Sequence, residues 1–268
     1  MRAFNMMKFG GKGHKLHLFS FYRTEVSEKD HEELHKIGIE TIELFKRKKA
    51  KNIGLAKSII SLKSSVFKIL YFDKSVFQKL EKTIKELEID ILHTESFYTG
   101  YYLSKSLGVK LINGTENIEY KLYEEYIKKF PPVARIPFAH QVSKIKNEEK
   151  HMAQVADVTL AVTPEEAEQF SLMGAAKTEV IANGVDIEEF RFKKSIRPHG
   201  KNILFVGNFS YFPNRDAMEF FYYDVFKNMS EDYKLRVIGK GGDTLGIKDS
   251  RVEFVNFAPD IKDEYYNA

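Results

Sequence analysis

VADVTLAVTPEEAEQF, residues 155–170, holds a short strand and the start of a helix. VTLAV at 158–162 is apolar, partly β-branched and preceded by an aspartate, as buried strands tend to be. Thr163-Pro164-Glu165-Glu166 then signals a helix. Threonine caps it, proline fits its first turn, and the two carboxylates meet the positive end of its dipole.

The same alternation extends in both directions. Upstream, strands are expected at 15–22, 39–45, 89–93 and 109–112; downstream, at 178–181, 202–206, 234–238 and 252–255. Helical segments are expected at 75–88, 97–107, 139–155, 164–173 and 213–229. In the first of these Val76, Leu80, Ile84 and Leu87 share one face. Strand–helix alternation predicts crossover units on a parallel sheet, so the class is α/β. A polar stretch, GVDIEEFRFKKSIRPHG at 184–200, separates a first domain, 1–185, from a second, 201–268, with 186–200 as linker. Both ends look truncated. Residues 2–9 read as a helix where such a domain would open on its central strand, and the second domain stops where a helix begins. The other reading is an N-terminal helix and a small second unit.

The chain has 268 residues, 43% of them hydrophobic and 30% charged, which excludes a disordered tail or a fibre. No apolar run is long enough for a spanning helix, and the N-terminus lacks a signal-peptide layout. With no cysteine there is no disulfide framework and no thiolate zinc site, which suits a cytoplasmic protein. The net charge of +4 is uneven. Residues 46–68 carry Lys46, Arg47, Lys48, Lys49, Lys51, Lys57, Lys63 and Lys68 and no acid, which leaves 4 − 8 = −4 for the rest. Apolar residues interleave at helical spacing, so the segment reads either as a face for an anionic membrane or as a core helix with a solvated lysine side. No nucleic-acid reader motif accompanies it.

Three further sets could carry chemistry. His31-Glu32-Glu33-Leu34-His35 matches H-E-x-x-H. Its charged surround reads better as a solvated helix face, so no metal is expected. Gly207-Asn208-Phe209 follows one strand and Gly239-Lys240-Gly241 the next. Glycine turns at the carboxyl ends of parallel strands offer backbone N–H groups to a phosphate, although ordinary turn glycines fit the same letters. His93, Glu95, Glu116 and Glu119 lie at the ends of two adjacent strands, where His93 and Glu116 could meet as acid, base or donor.

The order of these blocks resembles the group-1 (family four) glycosyltransferases of GT-B fold. VADVTLAVTPEEAEQF, TEVIANGVDIEEF, NILFVGNFSYFPNRDAMEFF, LRVIGKGG and VEFVNFAPDIKDEYYNA follow one another as in that family. Ile181-Ala182-Asn183-Gly184-Val185-Asp186 is similar to its I-P-N-G-V-D, and IDILHTES at 89–96 to its D-I-V-H-x-H.

The resemblance implies two Rossmann-like domains with mostly parallel sheets, facing across a cleft, the second one incomplete. It implies a nucleotide-sugar donor on the second domain and a glycan or lipid-linked acceptor on the first. Transfer would retain anomeric configuration and need no cofactor or metal. Gly207, Asn208, Phe209, Gly239, Lys240, Gly241 and Phe257 would face the donor, with Arg215 the candidate stand-in for the family's diphosphate clamp. His93 and Glu116 would line the acceptor side. The expected setting is cytoplasmic, peripheral to the inner face of the plasma membrane, in surface glycan or glycolipid synthesis. The rival is a degenerate, non-catalytic binding module. Thr115-Glu116-Asn117-Ile118-Glu119 departs from the family's T-H-N-x-E, and the opening glycine-rich loop and the acidic E-x₇-E segment are not within this sequence.

Overall fold

The computed structural model describes residues 2–23, 25–47, 61, 64–191 and 201–268. The chain divides into two compact units, Met1–Gly184 and Val185–Ala268.

The first unit contains β1 (Leu16–Tyr22), β2 (Ile39–Lys46), β3 (Ile91–Glu95), β4 (Lys110–Gly114), β5 (Val158–Ala161) and β6 (Thr178–Val180). All pairings are parallel, as the strand–helix alternation requires. They form two sheets: β1 pairs with β2, and β3 to β6 run in sequence order. What joins the sheets is side-chain packing on α4 (Lys74–Glu86). Its Val76, Leu80 and Ile84 pack with Tyr102 and Leu107, and with Phe19, Phe21, Phe45 and Leu92 from the strands. Leu87, expected on that face, follows the helix and is exposed.

The other helices of this unit are α1 (Arg2–Asn5), α2 (Glu28–Lys36), α3 (Val66–Tyr71), α5 (Glu119–Ile127), α6 (Pro132–Val155) and α7 (Pro164–Leu172). α7 starts as its letters dictate, with Thr163 Oγ1 accepting the Glu166 amide at 3.2 Å. The helix expected at 97–107 is instead two single 3₁₀ turns, Gly100–Tyr102 and Lys105–Leu107. Gly100 lies so close to α6 that a Cβ would stand 2.6 Å from the Met152 sulfur, which favours a tight turn over a regular helix. The main core here gathers Phe97, Leu111, Ile145, Met152 and Phe170.

The second unit has β7 (Lys201–Val206), β8 (Tyr233–Ile238) and β9 (Val252–Val255), parallel and in that order. α8 (Phe212–Phe220) widens into a π turn at Phe221–Val225 and a 3₁₀ turn at Phe226–Asn228. A repeated four-residue step drifts by about 40° each time round a regular helix. The wide turn lets Met218, Tyr222 and Phe226 all enter the core beside Leu235 and Val237. α9 (Ile261–Tyr266) is tied to β8 by Arg236, whose guanidinium grips Glu264 at 2.6 and 2.9 Å. Among the described residues no helix is long and apolar enough to cross a membrane.

Candidate active site

In the second unit the three strands end at a cleft of about 380 Å³. Gly207 and Asn208 after β7, Gly239 and Lys240 after β8, and Asn256, Phe257 and Ala258 after β9 line it, with Ile261 opening α9. Phe257 is 78% exposed, an aromatic ring presented at the mouth.

The glycine turns do not expose all the amides expected of them. Gly207 donates to the Ile238 carbonyl (2.9 Å), Phe209 to Lys240 (2.9 Å) and Gly239 to Val255 (2.8 Å). The Gly241 amide donates to Asn256 Oδ1 at 3.3 Å. Asn208 and Lys240 alternate with these and donate to no group among the described residues, so they are the amides available to a ligand. The glycines are there for close approach: a Cβ on Gly239, whose φ is +137°, would stand 1.8 Å from the Gly207 carbonyl oxygen.

Gly241, expected at the donor, does not line the cleft, and two expected donor side chains are corrected as well. Phe209 is 2% exposed and packs in the core against Gly242, near Phe205, because burying so large a ring outweighs leaving it in water. Arg215 is spent on structure, bonding the Thr244 carbonyl at 2.7 Å and Glu219 at 3.2 Å, and it does not line the cleft. Asn214 was missed: its Nδ2 donates to the Asn208 carbonyl and so fixes the turn that frees the Asn208 amide.

In the first unit, β3 and β4 end side by side, with Glu95 in register with Gly114. His93 Nε2 lies 3.0 Å from Glu95 Oε2, so the histidine pairs with Glu95 and not with the exposed Glu116, which lies beyond the end of β4. Gly114 leaves room for this pair, since a Cβ would come within 2.1 Å of Glu95 Oε2 and 2.8 Å of His93 Nε2 and displace them.

Arg2 was not foreseen. Its Nε bonds Glu95 Oε1 at 2.7 Å, and Nη1 reaches the Ile181 carbonyl (2.8 Å) and Asn183 Oδ1 (3.2 Å) in the I-A-N-G-V-D stretch. Its Nη2 is buried without a partner among the described residues, the kind of unsatisfied donor that a ligand oxygen would relieve.

Glu119 is buried and receives the Tyr98 hydroxyl at 2.7 Å; desolvation raises its pKa. Behind it stands Glu149 of α6, whose two oxygens accept the amides of Glu119 (2.8 Å) and Tyr120 (3.2 Å) at the start of α5. Burial pushes the Glu149 carboxyl up to about 8 despite those bonds. Its neighbour Glu148 accepts the Ser65 amide and hydroxyl ahead of α3, and the Tyr101 hydroxyl. A helical wheel carries the signal: Val142, Ile145, Glu149 and Met152 share the buried stripe of α6.

On α2 the H-E-x-x-H histidines are occupied differently. His35 Nδ1 meets the Ile39 carbonyl at 2.7 Å, and no group of three or more His, Asp or Glu suited to a metal occurs among the described residues. Of the basic run, Lys46 is exposed, and Arg47 bonds the Tyr71 hydroxyl at 2.6 Å while lying over its ring. Lys48, Lys49, Lys51, Lys57 and Lys63 lie outside the described residues.

The fold is similar to that of a sucrose-phosphate synthase from Thermosynechococcus elongatus, with a TM-score of 0.53 at 14% identity over 94% of this chain and 73% of that one. Similarity is lower to the lipopolysaccharide outer core galactosyltransferase WaaB, with a TM-score of 0.48 and 15% identity over 96% and 62% of the two chains. The S. aureus MnaA–UDP co-structure also scores 0.48, at 12% identity over 98% and 68%. The chain thus spans 62% to 73% of the length of these structures. Among curated protein sequences nothing matches. The model of Glycosyltransferase Family 4 matches residues 9–189, well over half of the sequence, and the chain belongs to that family of glycosyltransferases.

Proposed function

We propose that the protein transfers a sugar from a nucleotide-sugar donor to a hydroxyl of a glycan or lipid-linked acceptor, with retention and without a metal, at the cytoplasmic face of a membrane. The observation that carries the reading is the cleft at the ends of β7, β8 and β9. It combines the Asn208 and Lys240 amides, the Lys240 ammonium and the exposed Phe257 ring. Leaving-group departure loads negative charge onto a diphosphate, and preorganised N–H groups with a cation stabilise that charge without reorganising. Phe257 offers a face on which a base can stack. On the first unit, the Arg2–Glu95–His93 chain of contacts presents a histidine held by a carboxylate, the arrangement that orients a general acid or base. Glu116, exposed just beyond the end of β4, is the second acceptor-side group.

A thermal-shift screen of UDP-, GDP- and ADP-sugars tests the donor site. One class is expected to stabilise the protein, and Lys240→Ala to lose most of that shift. No shift with any of them would remove the donor assignment.

A further inference from the structure

The first two turns of α6 stand away from the body of the first unit. Every residue from Pro131 to His140 whose side chain is described is exposed, and packing begins only at Gln141 and Val142. Three of them are large and apolar: Val133 is 85% exposed, Ile136 75% and Phe138 45%. Isolated apolar residues on a surface need no explanation, but three on one projecting tip do.

The tip is also ordered and basic. Phe138 stacks on Phe130 at 5.0 Å with the rings 12° from parallel, and Tyr126 meets Phe130 edge-on. Arg135 closes the turn by donating to the carbonyls of Phe130 (2.8 Å) and Lys128 (2.7 Å), which holds its charge at the tip. From residue 126 to 147 there is no acid, while Lys128, Lys129, Arg135 and Lys146 supply four exposed or half-exposed cations; Lys144 is buried, and Lys128 is partly balanced by Glu125. The end of the lysine-rich run is tied to this same helix. The Val66 amide donates to Gln141 Oε1 at 3.2 Å and the Ser65 amide to Glu148 at 2.8 Å.

We infer that the α5–α6 turn, residues 128–140, is a docking surface for an anionic lipid bilayer. Val133 and Ile136, three residues apart on one face, enter the headgroup–acyl boundary, Phe138 braces the turn against Phe130, and the surrounding cations meet the lipid charge. Apolar residues on one side of a short helix with basic flanks bind interfaces by these two terms together. In purpose the surface rests on the proposed transfer to a lipid-linked acceptor, which it would bring within reach; its evidence is the tip alone.

The test is co-sedimentation of the chain with vesicles of phosphatidylcholine, and of phosphatidylcholine with about one third phosphatidylglycerol. Binding is expected to the second only. It should weaken about tenfold in the double variant V133S/I136S, and comparably in K128E/K129E, since both terms contribute. Leu172→Ser, on the equally exposed Leu172 of α7, is expected to change nothing. Equal binding to both vesicle types, no binding, or binding indifferent to V133S/I136S would overturn the inference. So would a dimer seen by light scattering that V133S/I136S dissociates, which would give the surface to a second copy. The nucleotide-sugar shift, measured in parallel, reports separately on the donor cleft.

Discussion

Replacing Gly239 by alanine is expected to cost the second unit about 4 kcal/mol. The new Cβ would stand 1.8 Å from the Gly207 carbonyl oxygen, so the two turns must separate by at least 3.0 − 1.8 = 1.2 Å. That movement strains the bonds that stitch them, Gly207 to Ile238 and Phe209 to Lys240, both 2.9 Å. Each such bond is worth about 1 kcal/mol net, and about 1–3 kcal/mol is added by forcing alanine to φ +137°. Gly246 supplies the control. It too has positive φ, +73°, but nothing lies within 4 Å of its Cβ position, so Gly246→Ala should cost only about 1 kcal/mol. Amide hydrogen exchange on β8, whose Leu235 and Val237 are fully buried, reads the opening of this unit by itself. The reasoning is refuted if Gly239→Ala opens the unit no more readily than Gly246→Ala.

Two further outcomes concern the first unit. Gly114→Ala pushes against the ends of two flexible side chains, Glu95 and His93, so melting should change little, while transfer with the donor found by the screen should fall about 10- to 100-fold through misplacement of the pair. An unchanged rate would remove His93 and Glu95 from the acceptor side. Glu149 gives a pH signature: with its folded pKa near 8, above the ordinary carboxylate value of 4.5, the folded state holds a proton the unfolded state has released, so stability falls as pH rises through that interval. Chemical denaturation at several pH values should show that slope in the parent and a smaller one in Glu149→Gln; equal slopes would place the proton elsewhere.

The strands were legible because most are short apolar runs bounded by a turn former, and all nine form. The helix at 164–172 was legible from its cap. Where the letters misled, packing outvoted period. FYTGYYLSKSL has helix-compatible spacing, yet the closeness of Gly100 to Met152 gives tight turns instead. Phe209, which the family resemblance puts against the donor, is a core ring. The cleft lining at Gly207, Asn208, Gly239 and Lys240 could be named from strand ends and Phe257 from the family resemblance, but which amides were free could not, since that depends on cross-turn bonds between residues 15 to 31 apart. Arg2 was beyond reach for the same reason: its partners lie at 95, 181 and 183.

The pairing of Glu148 with Glu149 shows how one helix can set two loops at once. Adjacent residues on a helix point about 100° apart, so their carboxylates reach different neighbours. Glu148 accepts at Ser65, ahead of α3, and Glu149 accepts at Glu119 and Tyr120, opening α5. Each thereby satisfies amides that a helix start leaves without partners. The β4–α5 loop that carries Glu116 is therefore fixed from behind by Glu149, while the chain entering α3 from the basic run is fixed by Glu148. Both carboxylates are buried and costly. A leucine at either place would pack better against Ile145 and Met152 but would leave helix-start amides bare, so the cost is carried for the sake of position.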